Sequence, residues 1–118
     1  EDGKLHIMDY KTCSWGWGKQ QKTDKMLAYQ LVLYKHFFAQ RYEIDPNDIE
    51  VHFCLLKRTA KKNVVEVFSI TSGEKRTNNA LELMTRAIKT IKSKIHIKNK
   101  LACTKGYGCE FYKTEHCK

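Results

Sequence analysis

Hydrophobic and polar positions change period several times along the chain, and each change marks an element. Leu5 to Lys11 alternates loosely, with apolar Leu5, Ile7 and Met8 giving way to polar residues, as in a strand running from a core out to a site. The next stretch, Thr12 to Lys19, is rich in small and turn-forming residues and reads as a loop. From Thr23 or Asp24, either of which can cap it, a helix is predicted to about Tyr42 through Met26, Leu27, Leu31, Leu33, Tyr34, Phe37 and Phe38. It is apolar over much of its circumference, so it should be the central helix. Ile44-Asp45-Pro46-Asn47-Asp48 ends it, because proline removes a backbone donor and the flanking Asx residues favour turns.

Period two then returns. Ile49 to Lys57 places Ile49, Val51, Phe53 and Leu55 on one face, and Val64 to Thr71 alternates again, so the basic linker Arg58 to Asn63 makes the pair a hairpin. A second helix, about Gly73 to Ile95, carries Ala80, Leu81, Met84, Ala87 or Ile88, Ile91 and Ile95 as a stripe expected to pack on the core, with a mostly cationic remainder. The order strand, helix, strand, strand, helix predicts an α/β (α+β) fold, a small mixed β-sheet flanked by helices. Asn99 to Lys118 has three cysteines and aromatic residues but no period. With 118 residues and 42% hydrophobic content, one modest core is expected, a single domain over 1–118 with its core at about 4–97 and a Cys-containing tail at about 99–118.

Charge narrows the partner. Twenty-two Lys and Arg against thirteen Asp and Glu give a formal net charge of +9, which favours a polyanion, with nucleic acid the leading candidate. No run approaches the roughly 20 apolar residues of a membrane span, and the N-terminus has no leader pattern, so a cytoplasmic protein is expected. Five cysteines is an odd count that fits reduced thiols better than a disulfide framework. Glu1-Asp2-Gly3-Lys4 is a turn signature running straight into a strand, which suggests a piece of a longer chain.

Asp9 and Lys11 are two residues apart, so on a strand they point to the same side while Tyr10 points into the opposite layer. A carboxylate at Asp9 can hold Mg²⁺ or Mn²⁺, with the backbone carbonyl of Tyr10 as a further oxygen ligand. Lys11 beside it can orient the attacking water and offset charge building on a scissile phosphate. The competing interpretation of Asp-x-Lys is an exposed, salt-bridged strand end.

Set in context, Ile7-Met8-Asp9-Tyr10-Lys11-Thr12 after an Asp-Gly turn, then Gln30-x-x-x-Tyr34 on the next helix, two strands, a basic helix and cysteines resembles the RecB-like exonuclease branch of the PD-(D/E)xK nucleases, particularly its small phage-type members. The resemblance spans nearly the whole chain, with its specific part in about thirty residues. It implies a restriction-endonuclease-like core and metal-dependent hydrolysis of DNA phosphodiesters in a bacterial or phage-infected cell, alongside a helicase or recombination partner. It also implies that Asp9 is the second acidic position, Lys11 the catalytic lysine, and Gln30 with Tyr34 the helix motif that approaches the DNA backbone. Gln30 and Tyr34, at i and i+4, share a helix face and can both donate to a phosphate, although a core tyrosine and a surface glutamine would show the same spacing.

Two departures from the family pattern stand out. The first acidic residue normally lies on a strand before the turn; Asp2, the one earlier Asp, would sit about 23 Å from Asp9 along a strand, too far to share an ion. Another segment or a second chain would have to supply that carboxylate. Some RecB-like nucleases also bind an iron–sulfur cluster through one early and three late cysteines, and Cys103, Cys109 and Cys117 are candidates for the late set, but Tyr112 stands where a middle cysteine is expected. Zinc held by these cysteines with His116 is an alternative, as are five free thiols.

Trp15 and Trp17 flank Gly16 just after the first strand, close to Lys19 and Lys22, and fit either base stacking or a lid packed on the first helix. Lys57, Arg58, Lys61 and Lys62 form a basic hairpin suited to phosphate contact, or a solvated turn. Beside the nuclease stand two alternatives: a non-catalytic nucleic-acid-binding module on a nuclease scaffold, and an interaction domain stabilised by zinc or an iron–sulfur cluster.

Overall fold

The computed structural model describes residues 3–95 and 100–117. Three strands form one mixed sheet in the order β1 (Leu5–Cys13), β2 (Ile49–Lys57), β3 (Val65–Ser69). β1 runs parallel to β2, with Leu5 opposite Ile49 and Cys13 opposite Lys57, and β2 runs antiparallel to β3, with Phe53 opposite Phe68. A parallel pair cannot be closed by a tight turn, so a long crossover connection, usually helical, must join its strands. Here the crossover includes a short helix α1 (Lys19–Lys22) and the long helix α2 (Lys25–Tyr42). The mixed sheet, its flanking helices and the β2–β3 hairpin agree with the alternation in the sequence. α1 lies where a loop was expected to end.

Local chemistry explains the boundaries. Of the two possible caps for α2, Asp24 is the one used: its carboxylate accepts hydrogen bonds from the Met26 and Leu27 amides at 2.7 and 3.2 Å. The helix stops at Glu43, which takes a left-handed conformation with φ 54°. Asp45 then accepts from the Asn47 amide at 2.8 Å and starts a single 3₁₀ turn over Pro46–Asp48 that delivers the chain into β2.

One face of the sheet carries the core. Ile7 from β1, Val51, Phe53 and Leu55 from β2, and Phe68 from β3 pack with Leu27 and Leu31 of α2. Leu31, Val51, Phe53 and Leu55 are at most 1% exposed. Each such side chain contributes about 1.5–3 kcal/mol through removal from water. The opposite face presents Met8, Tyr10, Leu56, Val65 and Val67, each more than a third exposed.

Contacts divide the chain into two units, Glu1–Thr85 and Arg86–Lys118, with the division inside α3 (Glu74–Lys92). The sheet and α2 belong wholly to the first unit. Within the first unit Ala80 of α3 is buried and Leu81 and Met84 are half-buried, in keeping with the apolar stripe of this helix; in the second unit Ile88, Ile91 and Ile95 are exposed. The second unit holds the last turns of α3 and, from Lys100, a 3₁₀ turn, Lys100–Cys103, followed by tight turns closed by bonds such as Cys109 N–H to the Cys103 carbonyl at 3.0 Å.

This core makes a direct prediction. Leu31→Ala should lower the unfolding free energy by about 2–5 kcal/mol in urea titrations, whereas Met26→Ala, 64% exposed on the same helix, should stay within about 0.5 kcal/mol. Equal losses would mean that α2 does not pack through the Leu31 face.

Candidate active site

Strand pleating places Asp9 and Lys11 on the face of β1 that meets α2, continuing the row of Leu5 and Ile7. Lys11 Nζ lies 2.9 Å from Asp9 Oδ2, and both side chains are less than a third exposed. Asp9 Oδ2 is shielded from solvent and accepts no well-directed hydrogen bond, so its contact with Lys11 is an ion pair by proximity alone. A buried carboxylate oxygen without a well-directed donor is uncommon.

The helix completes the constellation. Lys11 Nζ also donates to Gln30 Oε1 at 3.1 Å, and Gln30 Nε2 donates to the Tyr34 hydroxyl oxygen at 2.9 Å. Asp9, Lys11, Gln30 and Tyr34 thus form one continuous polar chain reaching from the strand to the surface of α2. Because Tyr34 accepts from Gln30, its own hydroxyl proton is directed elsewhere and can be donated to an incoming acceptor. Tyr34 is 47% exposed and lines an open groove of about 630 Å³ together with Ile7, Leu33, Phe37, Phe38 and Arg41 among others. Tyr10 points to the other side of the sheet and is largely exposed.

The loop beyond β1 is anchored on both sides. Arg58 N–H donates to the Cys13 carbonyl at 2.8 Å, and the Thr59 hydroxyl donates to the Ser14 carbonyl at 2.5 Å. Its two tryptophans separate: Trp17 packs edge-on against Phe53 and Phe68 at ring distances of 5.1 and 6.1 Å, while Trp15 is 76% exposed. The indole of Trp17 is therefore part of the packed layer, and Trp15 is the ring presented to solvent. Gly16, at φ 120°, lies against the Lys57 side chain, where an added Cβ would come within 3.1 Å of Lys57 Cε.

Glu66 on β3 pairs with Lys57 at 2.7 Å and with Lys22 of α1, so one carboxylate fastens the short helix to the sheet beside this loop. Lys22 also lies over the Phe68 ring. It is therefore engaged within the fold, whereas Lys19 and Arg58 are exposed. Hydrogen bonds from Lys22 and then Lys57 hold the Glu66 carboxyl below the ordinary glutamate range.

A second constellation lies on the opposite face of the sheet and was not read from the sequence. His6, Glu50 and His52 converge there, with His6 Nδ1 and His52 Nε2 2.8 Å apart. Glu50-x-His52 is a same-face pair on a strand, but His6 joins it only through the β1–β2 register. Cys103, Cys109 and Cys117 do not converge with His116 into a ligand set; among the described residues the His6–Glu50–His52 group is the one set of three or more such side chains whose ligand atoms cluster. Cys13, Cys54, Cys109 and Cys117 are free thiols. Asp2 lies outside the described residues.

No protein-family model, curated protein or solved structure matches this chain. Among the described residues no helix is long and apolar enough to cross a membrane.

The Glu66 clamp predicts a pH dependence. Its folded-state acidity is greater than in the unfolded chain, so the stabilisation is fully present above the ordinary glutamate value and is lost as pH falls through the lower folded value. Glu66→Gln should cost on the order of 1 kcal/mol at neutral pH. The difference between wild type and variant should close on acidification below about pH 4. Thermal melts across that range check it, and a gap that persists in acid would show that the carboxylate charge is not what matters.

Proposed function

We propose that this chain carries the catalytic face of a divalent-metal-dependent DNA nuclease, in keeping with its resemblance to the RecB-like branch of the PD-(D/E)xK superfamily. The observation that carries the proposal is the unbroken chain from the shielded Asp9 carboxylate oxygen through Lys11 and Gln30 to Tyr34. Four residues from two elements meet in one polar chain, which supports a shared role for them. A structural salt bridge would need only the first two.

Asp9 Oδ2 is a hard oxygen donor suited to Mg²⁺ or Mn²⁺, and the Tyr10 carbonyl is the adjacent oxygen. When bound, such an ion lowers the pKa of water and neutralises charge on the scissile phosphate. Among the described residues Asp9 belongs to no cluster of three ligands, so the proposal includes a further carboxylate from another segment or a second chain. Lys11, held between Asp9 and Gln30, orients the attacking water and offsets the charge of the transition state. Gln30 fixes the lysine through its carbonyl and the tyrosine through its amide. Tyr34 presents its proton to a phosphate oxygen.

The surroundings suit a polyanion. The chain has a formal charge of +9, exposed Lys19, Arg58, Lys61 and Lys62 can contact phosphates without reading sequence, and Trp15 offers a ring for base stacking. A helicase or recombination protein delivering DNA ends is the partner this reading implies. The isolation of Asp9 from other ligands favours one competing possibility, a nucleic-acid-binding module that keeps the scaffold without the chemistry.

Cleavage of duplex and single-stranded DNA by the full-length protein in Mn²⁺ decides between them. Asp9→Asn and Lys11→Ala should each lower the rate by about 10²-fold or more, and Tyr34→Phe by about tenfold through loss of one hydrogen bond. Undiminished cleavage by Lys11→Ala would remove the lysine from the mechanism. Salt-sensitive DNA binding with no divalent-ion requirement and no cleavage would support the binding module instead.

A further inference from the structure

We propose that His6, Glu50 and His52 form a binding site for one divalent transition-metal ion of the zinc class, on the face of the sheet opposite Asp9. The site is independent of the nuclease reading. Its ligand atoms come from two neighbouring strands: His6 lies directly opposite Glu50 in the β1–β2 ladder, and His52 follows Glu50 by two residues on the same face.

The ligand triangle is nearly the right size. His6 Nδ1 is 2.8 Å from His52 Nε2, and Glu50 Oε2 is 4.0 Å from the first and 3.9 Å from the second. A tetrahedral ion with bonds of about 2.0–2.1 Å requires ligand atoms about 3.3 Å apart, so each edge changes by roughly 0.5–0.7 Å, within reach of side-chain rotation. His6 and Glu50 are each about two-fifths exposed, which leaves a water free to take the fourth position. His52, 9% exposed, is the fixed member.

Outer-shell contacts support the same reading. Ser69 Oγ lies 3.0 Å from His52 Nδ1, which can then carry its proton and leave Nε2 as the ligand. Lys4 Nζ donates to Glu50 Oε1 at 2.8 Å, leaving Oε2 turned toward the two imidazoles. With the ion absent, the short contact between the two rings needs a proton between their nitrogens. A metal ion replaces that proton and joins β1 to β2. Two imidazoles with one carboxylate select zinc-like ions over Mg²⁺, whose preferred ligands are oxygens.

The test is direct metal analysis and calorimetric titration of chelator-stripped full-length protein with Zn²⁺, repeated with Co²⁺ to read a tetrahedral visible spectrum. Wild type should bind one ion at this site, undisplaced by excess Mg²⁺. His6→Ala and Glu50→Gln should each weaken binding by more than about 100-fold, and Ser69→Ala by about 10–100-fold, the usual effect of losing an outer-shell partner. Zn²⁺ should raise the melting temperature of wild type but not of His6→Ala. Asp9→Asn and a Cys103→Ser, Cys109→Ser, Cys117→Ser triple variant should keep the site, with circular dichroism verifying the fold of each. Absence of Zn²⁺ binding by wild type, unaltered affinity in both His6→Ala and Glu50→Gln, or loss of the ion in the cysteine variant overturns the proposal.

Discussion

The parallel pairing of β1 with β2 is the constraint on which the rest of this protein depends. Leu5 opposite Ile49 and Asp9 opposite Phe53 set which side chains face α2 and which face away. Strand side chains alternate with a period of two, so a slip of one residue would exchange the two sets. Asp9 and Lys11 would leave Gln30, and Ile7 would leave the core. The hydrophobic contacts of Ile7, Val51 and Phe53 with Leu31 penalise that slip, so burial of the core is what aligns the polar residues above it.

Position on regular elements also gives the constellation its precision. Asp9 and Lys11 sit on a strand, Gln30 and Tyr34 on a long helix capped by Asp24, and the loop after β1 is fastened by backbone bonds and by the Glu66 pair. Groups held this way lose little freedom on meeting a substrate, which is the main requirement of a preorganised site. The groove beside Tyr34 is largely apolar, so the polar chain ends beside an apolar surface. On the other face the same ladder brings two histidines and a glutamate together, with no element in common with α2.

Much of this arrangement is legible in the residues alone, because it follows from local periodicity. Alternation predicts the three strands and the hairpin, and the three- and four-residue spacing predicts the two long helices. The same-side placement of Asp9 and Lys11 follows from the pleat, and that of Gln30 and Tyr34 from the helical turn. What cannot be read locally depends on register and packing. His6 and His52 are 46 residues apart and meet only because of the inter-strand offset. Trp15 and Trp17 look alike in a Trp-Gly-Trp loop, yet Trp17 is drawn between Phe53 and Phe68 and Trp15 is left outside. Lys22 looks like one more surface cation until β3 brings Glu66 beside it. The stripe on α3 has the period of a buried face, but a periodic apolar face does not itself specify what covers it.

In the proposed nuclease the shielded oxygen of Asp9 binds a divalent ion, and Lys11 serves the site rather than merely neutralising the carboxylate. Crystals of the full-length protein soaked in Mn²⁺, measured for anomalous scattering, test it most directly. The account predicts a Mn²⁺ peak about 2.0–2.3 Å from an Asp9 carboxylate oxygen, with Lys11 Nζ moved off Oδ2 while keeping its bond to Gln30. An intact Asp9–Lys11 pair with Mn²⁺ bound elsewhere, or not at all, would contradict it.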